Sequence, residues 1–272
     1  MPHITLLFIV ILFTSTFMYL YLHRKTRMNI RFLYIDNLIV VCISFLISLT
    51  VYSFFNSLLN NLLRFSLSFI IGCVFILLLG YSITMLRFWH KPKRKIIALS
   101  NEIVSPADGN VLYIKRIEAN DPPSSIKNGR LNKLSELTKT TLLKTPCWLI
   151  GINMTPWDVH KNCAPISGRI ILNNHIKGSF LSLKKFDSET MNERNTYVIE
   201  KDNLRIGIVQ IASRGVRRID TYIAEGAMVN KGDWLGMIRF GSQVDVILPY
   251  NADIKITPGQ QIYAAKTIIA SL

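Results

Sequence analysis

Few residues in this 272-residue chain are placed to do covalent chemistry, and the most suggestive is a serine behind a glycine. Gly241 and Ser242 stand in the stretch Gly236-Met-Ile-Arg-Phe-Gly-Ser-Gln-Val-Asp-Val-Ile-Leu-Pro249. A serine hydroxyl can attack the carbonyl of the preceding residue when the backbone is held in a strained turn. Glycine, which lacks a Cβ, is the best residue to precede it. The amide becomes an ester, the ester eliminates to dehydroalanine, and hydrolysis leaves a pyruvoyl group with loss of ammonia. Taken alone, a Gly-Ser pair is more often an ordinary turn between strands. A serine also needs a base, and histidine is the usual one near neutral pH. Of the five histidines, His3 and His23 border an apolar run and His90 lies in a basic segment, which leaves His160 and His175. Asp108 precedes Gly109 and by itself reads as a turn aspartate. Asp158 reads as a turn or cap residue, and His175 as a strand-end residue with a lipid headgroup as its other reading. Cys42, Cys73, Cys147 and Cys163 form no CxxC pair, which argues against zinc and against a disulfide scaffold and suits a reducing compartment. No metal is expected.

Two unlike regions must position these residues. Residues 1–95 hold ten basic residues and one acid, Asp36, for a charge of +9; residues 96–272 hold the other 22 basic and 16 acidic residues, for +6. Three runs, 4–22, 38–59 and 65–86, reach the roughly 20 apolar residues that a bilayer span needs. The basic clusters flank these runs (Arg24, Lys25, Arg27 and Arg31, then Arg87, Lys91, Lys93, Arg94 and Lys95). Such placement fits topology signals and anionic headgroups rather than nucleic acid. The positive-inside rule puts the N-terminus outside and the C-terminal domain on the cytoplasmic face of the cell (inner) membrane. The five-residue link 60–64 leaves a shallow hairpin of the second and third runs as an alternative.

From residue 96 onward, β-branched stretches alternate with turn signals at 110–117, 147–153, 168–172, 196–200, 205–212, 219–224 and 244–248, the spacing of a β sandwich or barrel. The helical candidate is 131–143, with a loose insertion as its equal alternative. Ser105-Pro-Ala-Asp-Gly-Asn-Val111, Ala164-Pro-Ile-Ser-Gly-Arg-Ile170 and Leu248-Pro-Tyr-Asn-Ala-Asp-Ile254 share one turn pattern; 225–235 and 258–268 share another. The paired turns look like the folded-over half-repeats of lipoyl and biotinyl carrier domains, so the fold expected is mainly β, a lipoyl or barrel-sandwich-like domain behind transmembrane helices. No Met-Lys-Met or Asp-Lys turn for a carried group is visible.

Three stretches together resemble the phosphatidylserine decarboxylase family, closest to its shorter prokaryotic branch: Val104-Ser-Pro-Ala-Asp-Gly-Asn-Val111, Trp157-Asp-Val-His-Lys-Asn-Cys-Ala-Pro165 and Gly236–Pro249. Lesser matches are Asn192-Glu-Arg-Asn195, Val209-Gln-Ile-Ala212 and Arg217-Arg-Ile219. The resemblance runs from about Arg87 to the C-terminus. It implies autocatalytic cleavage between Gly241 and Ser242 into chains 1–241 and 242–272, held as a tight heterodimer with higher oligomers open. It implies that Ser242 becomes a covalent pyruvoyl cofactor, which takes phosphatidylserine as a Schiff base, loses carbon dioxide and yields phosphatidylethanolamine. His160, in the family's Asp-x-His stretch, is then the base, and Asp108 the acid that orients it in the manner of a Ser-His-Asp set. Arg217, Arg218 or Arg239 could hold the lipid phosphate.

The sequence departs from the family at Cys163, where the longer branch has the second histidine credited with self-cleavage. Either His160 serves both steps or the cleavage base is another group. Gln243 and Ser213-Arg214-Gly215 also differ from the short branch. Two other readings stand beside the enzyme: a membrane-tethered lipoyl-like adaptor or scaffold with an intact chain, and a self-cleaving relative acting on another aminoacyl phospholipid.

Overall fold

The computed structural model describes residues 2–26, 28–118, 124–127, 130–179, 181–183, 188–213, 218–239 and 242–272, with the backbone alone at 124–127, 130–133, 189 and 242. The chain divides into two compact units, Met1–Phe88 and Trp89–Leu272. In the first, α1 (Pro2–Thr26), α2 (Ile30–Phe54) and α3 (Asn61–Trp89) are each long and apolar enough to cross a membrane. At 1.5 Å per residue, 25 residues give roughly 37 Å of helix, more than the ~30 Å hydrocarbon core. The second helix begins earlier than its apolar run. Asn29 caps it, its side chain accepting from Arg31 N at 3.0 Å, and the one acid of the region, Asp36, is buried in a forked pair with Arg87.

The second unit is built of strands. In chain order they are β1 (Glu102–Val104), β2 (Gly109–Ile117), β3 (Ser124–Lys127), β4 (Arg130–Lys133), then α4 (Leu134–Thr138), β5 (Cys147–Met154), β6 (Lys161–Cys163) and β7 (Gly168–Ile176). After α5 (Ser188–Met191) come β8 (Arg194–Lys201), β9 (Leu204–Ala212), β10 (Arg218–Thr221), β11 (Met228–Val229), β12 (Trp234–Arg239), β13 (Ser242–Pro249), β14 (Asp253–Ile254), β15 (Gln261–Ile262) and β16 (Ile268–Ser271). The expected helix over 131–143 shrinks to Leu134–Thr138. Lys139 takes a positive φ of 50°, which ends the helix, and 130–133 pair as a strand instead.

One eight-stranded antiparallel sheet runs β11-β7-β8-β9-β13-β5-β2-β15, flanked by three-stranded sheets β10-β12-β6 and β14-β16-β1. The order is symmetric about its middle, and the hydrogen bonds match across it. Gly226 N–H donates to Ile170 O and Gly259 N–H to Val111 O, both at 2.7 Å. Ile170 N–H meets Ala227 O at 2.9 Å, and Val111 N–H meets Gln260 O at 3.0 Å. Gly232 N–H meets Ala164 O at 2.8 Å, and Ala265 N–H meets Ser105 O at 2.9 Å. The same positions of both turns have positive φ: Gly226 and Gly259 at 88° and 82°, Gly232 and Ala265 at 89° and 58°. The paired turns 225–235 and 258–268, and the motifs 105–111 and 164–170 they clasp, are therefore two copies of one unit. The third similar stretch, 248–254, does not share that place; its Asp253 and Ile254 pair with β16.

The copies interleave in the chain. The first takes β1, β2 and β5; the second takes β6 to β12; the first is completed by β13 to β16. The chain passes from the first copy to the second at 155–160 and back to the first between β12 and β13. Central strands are covered on both faces, which is why they read as near-continuous apolar runs. Val244, Val246 and Leu248 of β13 enter one buried cluster with Ile150, Ile152 and Ile208. Ile247 enters the other, with Leu134, Leu137 and Val209.

Candidate active site

The two crossings bring the sequence motifs together. Residues 104–109 lie against 161–165 through Val104 N–H to Pro165 O at 3.1 Å and Cys163 N–H to Pro106 O at 2.9 Å. Gly109 is required there: its φ is 152°, and a Cβ would fall 2.2 Å from Asn153 O. Strand β6 pairs with β12, and Ile238 N–H donates to the His160 carbonyl at 3.2 Å. His160 thus flanks the strand that leads into the Gly241–Ser242 bond. Ser242 opens β13, in register with Met154 of β5 on one side and Ala212 of β9 on the other. Phe240 and Gly241 lie outside the described residues.

His160 is fully buried. Its Nδ1 lies 2.8 Å from the Asp158 carbonyl oxygen. A carbonyl only accepts, so Nδ1 carries the proton and Nε2 the lone pair of the neutral ring. Burial pushes the imidazole pKa down to about 4, against the opposing bond to Asp158, so the ring is neutral at physiological pH. Asp158 is the turn residue the sequence suggests: its Oδ2 accepts from Thr155 N at 2.7 Å and Thr155 Oγ1 at 2.6 Å, its Oδ1 from Gln261 at 3.1 Å. Burial, helped by the charge of Asp108, pushes its carboxyl up to about 6 although the Thr155 bonds oppose it.

Asp108 is buried beside this group, but its carboxylate is engaged elsewhere. Arg94 grips it with Nη1 at 2.5 Å and Nη2 at 2.7 Å, and Ala264 N–H donates to Oδ1 at 2.7 Å. The described bonds therefore set a backbone carbonyl, that of Asp158, against the imidazole, and tie Asp108 to Arg94. Cys163 is also buried; its thiol donates to Ser105 O at 3.5 Å, and burial pushes it up to about 12. It remains a thiol and offers no base.

Polar side chains to which the sequence motifs assigned no role line the same region. Gln210 donates to Asn162 Oδ1 at 2.7 Å, and Asn162 to Met154 Sδ at 3.6 Å. Gln210 Oε1 is buried without a hydrogen-bond partner among the described residues, two positions along β9 from the partner of Ser242. On the opposite face of β13, Gln243 donates to Asp245 Oδ1 at 2.7 Å and Tyr113 donates to Asp245 Oδ2 at 2.8 Å. The signal for the first pair was Val209-Gln-Ile-Ala212, a glutamine interrupting an apolar strand. Of the remaining candidates, Arg218 and Arg239 each pair with Asp220 at 2.8 Å, His175 lies at the end region of β7, 3.2 Å from Glu193, and Arg217 is outside the described residues. Among the described residues no cluster of His, Cys, Asp and Glu could hold a metal ion.

The architecture is mainly antiparallel β, with Ser242 at the head of a doubly flanked central strand and a buried imidazole flanking the strand before it, behind three helices long and apolar enough to cross a membrane. The chain belongs to the phosphatidylserine decarboxylase family, whose profile matches residues 81–270. It is 42% identical over 183 residues, 67% of this chain and 87% of the relative, to a putative archaetidylserine decarboxylase proenzyme of Methanocaldococcus jannaschii. A phosphatidylserine decarboxylase proenzyme of Ehrlichia chaffeensis is 34% identical over 218 residues, 79% of this chain and 86% of the relative. A putative archaetidylserine decarboxylase proenzyme of Methanothermobacter thermautotrophicus is 33% identical over 193 residues, 68% and 79% of the two chains.

Proposed function

We propose that this chain is a proenzyme that cuts itself between Gly241 and Ser242 and then decarboxylates phosphatidylserine to phosphatidylethanolamine at a membrane. The observation that carries this reading is the buried, neutral His160 beside the strand leading to Ser242, with Nε2 as its lone-pair nitrogen. In the first step Ser242 Oγ adds to the Gly241 carbonyl carbon, the C–N bond breaks, and the hydroxyl proton passes to His160 and on to the freed amine. Elimination releases Gly241 as a carboxylate; water adds and ammonia leaves, which makes residue 242 a pyruvoyl group. Gln210 Oε1, an acceptor, fits the amine freed in this step, while the side-chain N–H groups of Asn162 and Gln210 beside β13 are donors suited to a new carbonyl oxygen. That pyruvoyl group supplies the ketone that takes up the substrate amine and the electron sink for the departing carbon dioxide.

His160 takes up a proton that the substrate ammonium loses on reaching the ketone and delivers it to the α-carbon that carbon dioxide leaves; water then frees the product. Asp108, fixed by Arg94, acts on His160 at one remove, by holding loop 104–109 against 161–165. With Cys163 protonated, His160 serves both steps. Arg218 or Arg239 holds the lipid phosphate by exchanging Asp220 for it. The cut chains, 1–241 and 242–272, stay together as a heterodimer, on the cytoplasmic face of the inner membrane. The two matched half-units are those of a lipoyl or barrel-sandwich domain, closed around the crossings. A second reading of the substrate is archaetidylserine, favoured by the name of the relative at 42% identity; both lipids end in the same serine headgroup.

The test is direct. Mass spectrometry of the purified protein is expected to find a C-terminal fragment of 31 residues (272 − 241) that is blocked and reducible by borohydride, and Ser242→Ala is expected to remain one chain. Splitting of the Ser242→Ala chain at this bond would refute the mechanism. Thin-layer assay with labelled phosphatidylserine and archaetidylserine then separates the two substrate readings.

A further inference from the structure

Residues 90–99 form neither helix nor strand, yet from Lys91 to Leu99 exposed and half-buried side chains alternate strictly. Arg94 and Ile96 turn inward. Arg94 meets Asp108 and, at 2.6 Å, the Ala264 carbonyl. Ile96, like Trp234, packs on the buried cluster of Cys163, Ala264 and Ala265, and a Cβ on Gly232 would come 2.3 Å from its Cδ1. Beyond it the backbone is pinned at Leu99, whose N–H donates to Glu102 at 2.7 Å and whose carbonyl accepts from Glu102 N–H at 3.1 Å and from Lys231. The segment is therefore a fixed strap. Its outer face presents Lys91, Lys93, Lys95, Ile97 and Leu99.

Single exposed aliphatic residues are ordinary on protein surfaces. Here Ile97 is 84% and Leu99 65% exposed, on one rigid edge, directly after three ammonium groups. A further cation, Lys161, is partly desolvated and feels the charge of Lys91, so like charges are gathered here rather than dispersed. The strap begins where α3, a span-length helix, ends at Trp89, itself half exposed; tryptophan favours membrane–water interfaces. Water solvates the lysines but not the aliphatic pair, and an acidic protein surface satisfies only the lysines. An anionic bilayer offers phosphates to the one and the acyl boundary to the other.

We propose that this strap is a membrane-docking edge, with Lys91, Lys93 and Lys95 on the headgroups of an anionic leaflet and Ile97 and Leu99 entering the acyl boundary. Because Arg94 joins the strap to Asp108, docking would set the loop 104–109 at a fixed height above the lipid. The inference goes beyond the decarboxylase reading and stands without it, since its readout is depth and not activity.

The experiment uses the full chain reconstituted in vesicles of phosphatidylcholine alone or of equimolar phosphatidylcholine and phosphatidylglycerol. With Cys42 and Cys73 replaced by serine, and Cys147 and Cys163 buried, a spin label is placed at Ile97→Cys. On phosphatidylglycerol vesicles the label is expected to be open to oxygen and shielded from a water-soluble nickel chelate. High salt, which screens the lysines, and the combined Lys91→Glu, Lys93→Glu and Lys95→Glu variant are each expected to abolish that shielding. A label equally open to nickel on both vesicles overturns the proposal. So does shielding that is the same on neutral vesicles and survives the charge reversals, which would mean that protein, not lipid, covers the strap.

Discussion

A buried imidazole whose pKa is pushed down to about 4 is a weak base, but it is in its basic form across the whole neutral range. If it takes the Ser242 proton, the self-cleavage rate of freshly refolded chain is expected to stay flat through neutral pH and to fall only as the pH approaches 4. Quenched time points on a denaturing gel measure this; a fall centred near pH 6.5 would point to a different base. The stability consequence has a definite sign. His160 is neutral when folded and protonates near 6.5 when unfolded, so the fold loses stability as pH drops from 6.5 toward 4. Asp158 is raised from 3.8 to about 6, so its contribution runs the other way over the same window. His160→Gln removes only the first effect, and is expected to become more stable relative to the parent on acidification, by up to about 3 kcal/mol. The partner of Asp108 obeys similar logic. Arg94→Ala strands a buried carboxylate and is expected to cost about 3 kcal/mol in a urea titration, most of it recovered in Arg94→Ala with Asp108→Asn. Nothing in the sequence marked Arg94 among the five cations of 87–95. Its role depends on which side of an extended segment faces inward, and that is fixed by contacts 14 and 170 residues away.

At the level of elements, strands with unbroken β-branched runs were readable because both faces of the large sheet are covered: β2, β5, β8, β9 and β13 fall within two residues of their expected bounds. The helix at 131–143 was not. Its periodic apolar residues do reach the core, Leu134, Leu137 and Leu143 all belonging to one cluster, but only five residues are helical. The C-terminal carbonyls Glu136 O and Leu137 O are taken up by the buried Arg194 at 3.1 and 2.9 Å, a tertiary contact that propensity cannot foresee. Glycines divide by the same criterion of context. At Gly109 a methyl would fall 2.2 Å from a backbone oxygen, whereas at Gly259, with φ 82°, nothing lies within 4 Å. Gly109→Ala is therefore expected to destabilise on the order of 3 kcal/mol or more and to block self-cleavage, while Gly259→Ala costs only about 1 kcal/mol, the strain of its backbone. Thermal melts of the two variants side by side measure the difference. Equal losses would mean that the loop 104–109 gives way freely and does not hold the site.

The duplicated turns were legible as turn chemistry, yet their interleaving was not, because the pairing that joins 105–111 to 258–268 spans about 150 residues and leaves no local period. That interleaving governs what the proposed cleavage would do to the whole molecule. The last 31 residues (272 − 241) carry β13, β14, β15 and β16. Of these, β13 lies between β9 and β5 in the middle of the large sheet, β16 lies between β1 and β14, and β15 closes the edge on β2. A cut before Ser242 therefore releases no surface element; it severs a crossing while every strand keeps its ladder. The buried side chains Val244, Val246, Leu248, Ile262, Ile269 and Ala270 all enter the main core cluster, so separation of the fragments would expose that core from the inside. The cut protein in detergent is accordingly expected to elute as one species under native conditions and to show both fragments only on a denaturing gel. Both fragments are also expected to lose structure in a single urea transition. Residues 1–241 expressed alone lack the central strand and are expected not to fold until the 31-residue peptide is supplied. Release of that peptide from the native cut protein, with the remainder still folded, would show that the two copies are independent domains rather than one interlocked sheet.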